Sequence, residues 1–457
     1  MSRHIDSESL TYRLLRLWIR SGFSLFFRRI EYRGQENIPV GEPVIFAPNH
    51  QAAMVDALAV LCRQRHPVVF MARANMFKNP TVARLLRIIK MMPIYRIRDG
   101  YGNLGKNERQ MEEAGGVLLR RHLLCLMPEG TQWGLRRLRP LVKGMFRIAF
   151  PVQERLSDTA VKIVPVGIDY TEYEHPGADI VVTYGQPLQV TDYLSQWRDD
   201  PQKGMQALRE DLGQAIIRLI QHIPGDTHYD EIYQLSYLLQ PLWLQAKSLP
   251  DTPGCCVDAR REITLALNRL ETEEPEKLQA LIEASAPWRE MPGLPQDKLE
   301  LVTCRHRCSW LLPLWQILLA VVALPGHLLN WPLRALVCRL CRLDGDPQMF
   351  STYRIALGTF GLPFCYLFYA LAATLAAGLS WPWFLLLTLL CLLSGMLTEK
   401  IRPYLRKLLY WSPWLYGRQR KDLARILTCV GQFLYSPGAI NDMARGLFDQ
   451  QGHKALR

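Results

Sequence analysis

A histidine and an aspartate lie close together in the segment FAPNHQAAMVDAL (residues 46–58). Histidine is the side chain that most often serves as a general base near neutral pH, and it works best when a carboxylate orients its ring. No serine or cysteine nucleophile stands beside His50 in this segment, so His50 would deprotonate a substrate hydroxyl directly. A second interpretation stays open at this point, in which Asp56 caps a helix and His50 is an ordinary loop residue.

Two further segments offer phosphate-binding side chains. MPIYRIR (92–98) ends a β-like run with Arg96 and Arg98, which could meet a phosphate or form a solvated strand end. LMPEGTQWGLRRLRPLVKGMFRIAF (126–150) carries Gly130, which allows close backbone approach, and no acid between Glu129 and Glu154. The basic residues that follow are Arg136, Arg137, Arg139, Lys143 and Arg147. They suit a phosphate-bearing ligand, an anionic lipid surface, or both.

A fourth segment, KIVPVGIDY (162–170), contains a proline within an apolar run. Proline lacks the N–H that a central strand must donate, so Pro165 disfavours a central position in the sheet, and an ordinary edge strand is one interpretation. Pro165 could also shape an apolar pocket.

These segments belong to an alternation of short apolar β-like runs and helical patterns. The β-like runs cover 43–49, 67–73, 91–97, 123–130, 161–168 and 179–185, and the helical patterns cover 53–63, 79–89, 106–121 and 142–154. Several runs are continuously apolar, which is typical of strands covered on both faces. The alternation predicts an α/β fold with a mainly parallel sheet flanked by helices. Ligands of such sheets bind at the carboxyl ends of the strands, where His50 would lie.

Residues 308–333 and 355–398 contain no Asp, Glu, Lys or Arg. A bilayer core of about 30 Å needs roughly 20 helical residues, so we predict C-terminal transmembrane helices over 308–398. We expect 355–398 to form a two-span hairpin and 308–333 to turn back within the membrane at a break in 324–332, near Pro325-Gly326. This arrangement would place the catalytic domain, 334–354 and the basic tail on the cytosolic side. Three full spans are the alternative.

The remaining segments complete the predicted organisation. Arg13, Arg16 and Arg20 interrupt the N-terminal apolar residues, which argues against a secretory signal and predicts an amphipathic membrane-interface helix over 1–30. An amphipathic helix packed on the following domain is the alternative. A catalytic domain over 31–195, a helical region over 196–307 and a basic tail over 399–457 follow from the patterns. The net charge of +13 favours anionic partners, and the apolar runs favour lipid over nucleic acid. Scattered cysteines indicate neither a disulfide framework nor a metal site.

The order of the four segments resembles that of the glycerolipid (phosphate) acyltransferases, which include the 1-acylglycerol-3-phosphate acyltransferases. The blocks are Asn49-His50 with Asp56, Pro93-Ile94-Tyr95-Arg96, Pro128-Glu129-Gly130-Thr131 and Ile163-Val164-Pro165-Val166. The resemblance covers about residues 30–190. This chain departs from the family pattern in two ways: its spacing is His-x5-Asp where His-x4-Asp is commonest, and Gln132 stands where the third block usually has arginine. Arg136, Arg137 and Arg139 are the candidates to take that arginine's place.

The resemblance implies roles for these residues. His50 would take the proton of a glycerol hydroxyl as it attacks an acyl thioester, and Asp56 would orient His50. Arg96, Glu129, Gly130 and Thr131 would hold the acceptor and its phosphate, with the acyl chain near Pro165. No metal or prosthetic group is implied, and acyl-CoA or acyl carrier protein would bring the acyl group as co-substrate.

We therefore expect a multi-pass enzyme of the cytoplasmic membrane that acylates lysophosphatidic acid to phosphatidic acid in phospholipid biosynthesis. Glycerol-3-phosphate, another lysolipid or an amino-acid lipid remains open as the acceptor. A non-catalytic lipid-binding membrane protein and a small transporter are the alternatives of other classes.

Overall fold

The computed structural model describes residues 4–95, 104–174, 176–290, 295 and 311–406. The strands are β1 (Arg29–Arg33), β2 (Val44–Pro48), β3 (Val68–Arg73), β4 (Met91–Ile94), β5 (Leu123–Cys125), β6 (Lys162–Tyr170), β7 (Asp179–Tyr184) and β8 (Leu188–Gln189). The helices before residue 220 are α1 (Leu10–Phe26), α2 (Met54–Leu61), α3 (Pro80–Ile88), α4 (Leu104–Leu119), α5 (Gly144–Arg155), α6 (Leu194–Asp199) and α7 (Pro201–Ile217).

The strands form one sheet in the order β1-β7-β6-β2-β5-β3-β4, with β8 beside β6. Parallel pairs dominate it, and the antiparallel pairs are β6 with β7 and β6 with β8. Every residue of β2 is buried, because α1 and α2 pack on one face of the sheet and α4, α5 and α7 pack on the other. The predicted fold class is therefore confirmed.

The expectation that Pro165 would not lie in a central strand is wrong. β6 lies inside the sheet, with β2 along one side and with β7 and β8 along the other. β8 pairs with Lys162 and Ile163, and β7 pairs from Val166 onward, so Pro165 falls between the two partners. Its carbonyl accepts from Gly185 N (2.8 Å) at this gap. No ladder bond on that side needs the missing N–H.

The chain divides into two compact units. The first contains Met1–Ile220 and Leu324–Lys400, and the second contains Gln221–Ala323 and the described residues from Ile401. In the second unit lie α8 (Tyr229–Ala246), α9 (Pro253–Glu273), α10 (Pro275–Ala284) and α11 (Ala286–Glu290). They enclose a core around Trp288. Gln221, buried in the same unit, donates to Ser236 Oγ (2.8 Å) and Thr264 Oγ1 (2.9 Å).

The C-terminal apolar runs are helical. The helices are α12 (Leu311–Asp344), α13 (Pro347–Ala356), a π-helical turn (Leu357–Gly361), α14 (Leu362–Ala376) and α15 (Trp381–Arg406). Within the described part of the chain, three segments are long and apolar enough to cross a membrane: Ile317–Asp344, Pro347–Ala376 and Trp381–Arg402. The predicted break at 324–332 is wrong, because α12 continues through both Pro325 and Pro332.

Close contacts between the C-terminal helices explain why α12 continues. A Cβ added to Gly326 would lie 2.3 Å from the carbonyl of Ser394, so α12 and α15 approach with no room for a side chain. Asn330 is fully buried and accepts from Tyr366 Oη (2.5 Å). Arg334 pairs with Glu399 (2.5 Å). These contacts pack α12 against α14 and α15 along a continuous helix that contains two prolines.

Candidate active site

His50 lies in the loop between the carboxyl end of β2 and the start of α2. Its Nδ1 is 2.8 Å from Asp56 Oδ2. The same Asp56 oxygen accepts from the backbone N–H groups of Gln51 (2.8 Å) and Ala52 (2.9 Å). Asp56 stands in the first turn of α2, where the helix dipole favours a negative charge. Asp56 therefore binds both the imidazole of His50 and the backbone of the loop that carries it.

The second oxygen of Asp56 accepts from the hydroxyl of Tyr170, at 2.5 Å. Tyr170 ends β6, and burial raises the pKa of its phenol well above the usual value, so it stays a donor at neutral pH. The side chain of Asp56 is inaccessible to solvent, whereas the imidazole of His50 is 13% exposed. Because Nδ1 faces Asp56, Nε2 is the ring nitrogen left for a substrate.

Asn49 fixes the other end of the loop. Its side chain donates to Ile168 O (3.1 Å) and accepts from Ile168 N (2.7 Å), which ties the end of β2 to β6. Its own backbone N–H donates to Val166 O (3.2 Å). The two side-chain bonds to Ile168 need both a donor and an acceptor, which explains why an asparagine precedes His50.

Glu129 links the third block to the histidine loop. One carboxylate oxygen accepts from the backbone N–H of His50 (2.6 Å) and the other from that of Arg139 (2.9 Å). In return, Trp133 N donates to His50 O (3.0 Å). Burial raises the pKa of Glu129 to about 7, although both backbone donors oppose this shift. These contacts connect Glu129 to the loop of His50.

Gly130 and Thr131 follow Glu129 in a tight turn. Gly130 has a φ of +67°, a conformation that favours glycine, and its N–H donates to Met127 O (3.0 Å). Thr131 Oγ1 accepts from Arg73 Nη2 at 2.6 Å, and the same nitrogen donates to Gln132 Oε1 at 2.9 Å. A cation thus stands beside the position where the family pattern usually has arginine.

The motif blocks did not single out Arg73. It is the last residue of β3, whose carboxyl end opens on the same edge of the sheet as those of β2 and β5. The sequence signal for Arg73 is its position at the end of the apolar run 67–73. Ligands of parallel sheets bind at the carboxyl ends of the strands, so a cation at this position is a candidate ligand-binding residue.

The three arginines proposed as substitutes for the missing one take different positions. Arg136 is buried and donates to Gln51 Oε1 and Tyr170 O, with Asp169 Oδ1 at 3.7 Å. The guanidinium groups of Arg137 and Arg139 lie 5.7 and 5.0 Å from the centre of the Trp133 ring. Arg136 thus supports the loop of His50 through its hydrogen bond to Gln51, while Arg137 and Arg139 lie over the ring of Trp133.

Two predicted site residues remain. Arg96 lies outside the described residues, so its phosphate role stays a prediction. Pro165 is buried in β6, in register with Ala47 and on the face of the sheet away from α2. An acyl pocket at Pro165 also stays a prediction. The described residues contain no cluster of three or more histidine, cysteine or acidic side chains arranged to hold a metal ion.

Comparison with known proteins connects this site to a family. No curated protein matches the chain. Among solved structures, the chain is similar to the crystal structure of the 1-acyl-sn-glycerophosphate (LPA) acyltransferase PlsC from Thermotoga maritima, with 18% identity over 46% of this chain and 79% of that chain and a TM-score of 0.35. Residues 29–169, which hold His50, Asp56, Arg73 and Glu129, match the acyltransferase family model, so the resemblance read from the four blocks is confirmed for this part of the chain.

Proposed function

We propose that the protein is a membrane-bound acyltransferase that transfers a fatty acyl group from an acyl thioester to the hydroxyl of lysophosphatidic acid, giving phosphatidic acid. The observation that carries this proposal is the pairing of His50 with the buried Asp56 at the edge of the sheet where Arg73 also lies. This arrangement combines a base for a hydroxyl with a cation for a phosphate. The match to the acyltransferase family over residues 29–169 supports the class of reaction.

In this mechanism Nε2 of His50 takes the proton of the acceptor hydroxyl as its oxygen attacks the thioester carbonyl. The C–O bond forms, the tetrahedral intermediate collapses, and the C–S bond breaks. The proton held by His50 then passes to the departing thiolate, so the histidine returns to its neutral form. Asp56 keeps Nδ1 protonated and stabilises the imidazolium that forms between the two proton transfers.

Arg73 is the residue that we propose for the acceptor phosphate, with Thr131 beside it and Arg96 as a second cation. A guanidinium binds phosphate through charge-assisted hydrogen bonds, which are stronger than neutral ones. Gly130 and Glu129 shape the turn that carries Thr131. We propose no phosphate role for Arg136, since its bonds go to Gln51 and the backbone of Tyr170.

The membrane location is part of the proposal. The exposed side chains of Leu10, Leu14 and Leu17 form a stripe along α1 that suits the membrane interface, and the C-terminal helices would anchor the enzyme. We propose that the catalytic domain faces the cytosol, where acyl-CoA and acyl carrier protein are found.

Product analysis with purified protein tests the proposal. Lysophosphatidic acid and glycerol-3-phosphate are each supplied with acyl-CoA or acyl carrier protein as the donor. Phosphatidic acid formed from lysophosphatidic acid supports the proposal, and lysophosphatidic acid formed from glycerol-3-phosphate would support the runner-up acceptor. If neither acceptor, nor another lysolipid or an amino-acid lipid, is acylated while lipid still binds, the chain is a lipid-binding protein instead.

A further inference from the structure

The helix that carries Asp56 begins without a cap of its own. The residue before α2, Ala53, makes no side-chain hydrogen bond to the first turn and has a φ of +44°, which is unusual for a residue other than glycine. Ala53 lies in the loop made longer by the His-x5-Asp spacing. The first N–H groups of a helix have no acceptor within the helix. In α2, Val55 N donates to Ala52 O in the preceding loop (2.9 Å), and the N–H of Met54 is the group whose partner lies elsewhere in the chain.

A residue far along the chain provides that partner. The backbone N–H of Met54, the first residue of α2, donates to the hydroxyl oxygen of Thr352 in α13, at 3.3 Å. Thr352 lies well outside the part of the chain that matches the acyltransferase family model. It thus does for α2 what an N-cap threonine normally does from the preceding residue.

Several contacts hold α13 and the following π-helical turn in this place. Ile355 is buried in the core cluster that α1 and α2 form on this face of the sheet. Arg354 donates to the carbonyl of Glu174. Trp18 Nε1 donates to Thr359 O (3.0 Å), and a Cβ on Gly22 would lie 2.1 Å from Thr359 Oγ1. The segment from Pro347 to Gly361 is thus packed against α1 and α2.

We propose that Thr352 is a positioning residue for the acyl-transfer site, and that through it the C-terminal helices are part of the catalytic unit rather than an anchor alone. The inference rests on the proposed function. Thr352 accepts a hydrogen bond from Met54, the first residue of α2. Two residues later in the same helical turn, Asp56 binds both the ring of His50 and the backbone N–H groups of the loop. Loss of the cap would let the start of α2 fray and would loosen the pairing of Asp56 with His50.

The test compares two substitutions that remove a threonine hydroxyl from the same region. Thr352→Val keeps the shape of the side chain but cannot accept from Met54. Thr374→Val is the matched control, because the hydroxyl of Thr374 donates to Ala370 O within its own helix, α14 (2.8 Å). Thr352→Ser restores an acceptor oxygen. The measurements are kcat, the KM values of donor and acceptor, and hydrogen exchange of the amides from Met54 to Asp56 in the full-length protein.

We expect Thr352→Val to lower kcat by about 3- to 20-fold, as the loss of a helix cap would, with both KM values within about twofold of the native ones. The amides at the start of α2 should exchange faster. Thr352→Ser should recover most of the rate, and Thr374→Val should resemble the native enzyme.

Three results would overturn the inference: native kcat and exchange in Thr352→Val, equal losses in Thr352→Val and Thr374→Val, or no recovery in Thr352→Ser. If the valine variant cannot be recovered folded, Thr352→Ala takes its place in the exchange measurement, which does not depend on activity. An inactive native enzyme would refute the proposed function itself. The exchange data would still decide whether Thr352 caps α2.

Discussion

Arg73 and Gln132 are joined by a hydrogen bond of 2.9 Å from the guanidinium to the side-chain amide oxygen. Gln132 occupies the position where related third blocks usually carry arginine, and Arg73 reaches this position from a different strand. The positive charge is therefore present at the site although the motif residue is not. A glutamine there accepts from Arg73, whereas an arginine would repel it.

This relationship predicts a specific kinetic defect for Arg73→Ala. We expect the acceptor KM to rise by about 10- to 100-fold, the range for a lost charge-assisted bond, while the donor KM changes by less than about threefold. Arg155→Ala is the control, since Arg155 is an exposed arginine at the end of α5. Equal changes in both KM values, or none, would rule out a phosphate role for Arg73.

Tyr170 is predicted to support catalysis through Asp56. In Tyr170→Phe the ring is kept but the buried Oδ1 of Asp56 loses its donor, so we expect kcat to fall by roughly 3- to 30-fold. Tyr184→Phe is the matched control, because Tyr184 is equally buried in the neighbouring strand and its hydroxyl accepts from Gln64. Similar losses in the two variants would show a general effect on the sheet.

Glu129 predicts a pH dependence of stability. Because burial raises its pKa from 4.5 to about 7, the folded protein holds this proton more tightly than the unfolded chain does. This proton on Glu129 therefore adds to the free energy of unfolding. Its contribution is complete below about pH 4.5 and is lost as the pH rises through 7. Its full size is on the order of 3 kcal/mol.

The thermal unfolding of Glu129→Gln in detergent checks this expectation. The stability of the native protein relative to Glu129→Gln should decline between about pH 5 and pH 8, because the variant has no titrating group at 129. Glu112→Gln, which alters an exposed glutamate of α4, should show no comparable trend. If the stability of the native protein relative to Glu129→Gln rises with pH instead, the folded protein holds Glu129 as a carboxylate and the expectation is wrong.

Cysteine labelling tests the proposed sidedness. In Leu343→Cys the probe lies at the end of α12, close in sequence to the α13 helix that packs on the catalytic domain, and in Ser380→Cys it lies in the turn between α14 and α15. In an otherwise cysteine-free protein expressed in cells, we expect an impermeant reagent to label Ser380→Cys. Leu343→Cys should react only after the membrane is opened. The opposite pattern would place the catalytic domain outside.

The sequence was sufficient for the α/β fold and for the histidine and aspartate that the structure brings together. Apolar periodicity and short motifs depend on neighbouring residues, so local patterns carry this information. Arg73 was missed because its meaning depends on which strand ends lie together. Pro165 was misplaced because two separate strands share one side of β6. The predicted break at Pro325 is absent because α12 packs against α15 and Tyr366, which are distant from it in sequence.

The most direct test of the central claim is acyl transfer by His50→Ala, measured as product formed from labelled acyl donor and lysophosphatidic acid in parallel with His66→Ala. His66 is an exposed histidine of the same domain and serves as the control. We predict that His50→Ala lowers kcat by about 10²- to 10⁴-fold with native expression and membrane association, and that His66→Ala stays active. Near-native turnover in His50→Ala would contradict the assignment of His50 as the catalytic base.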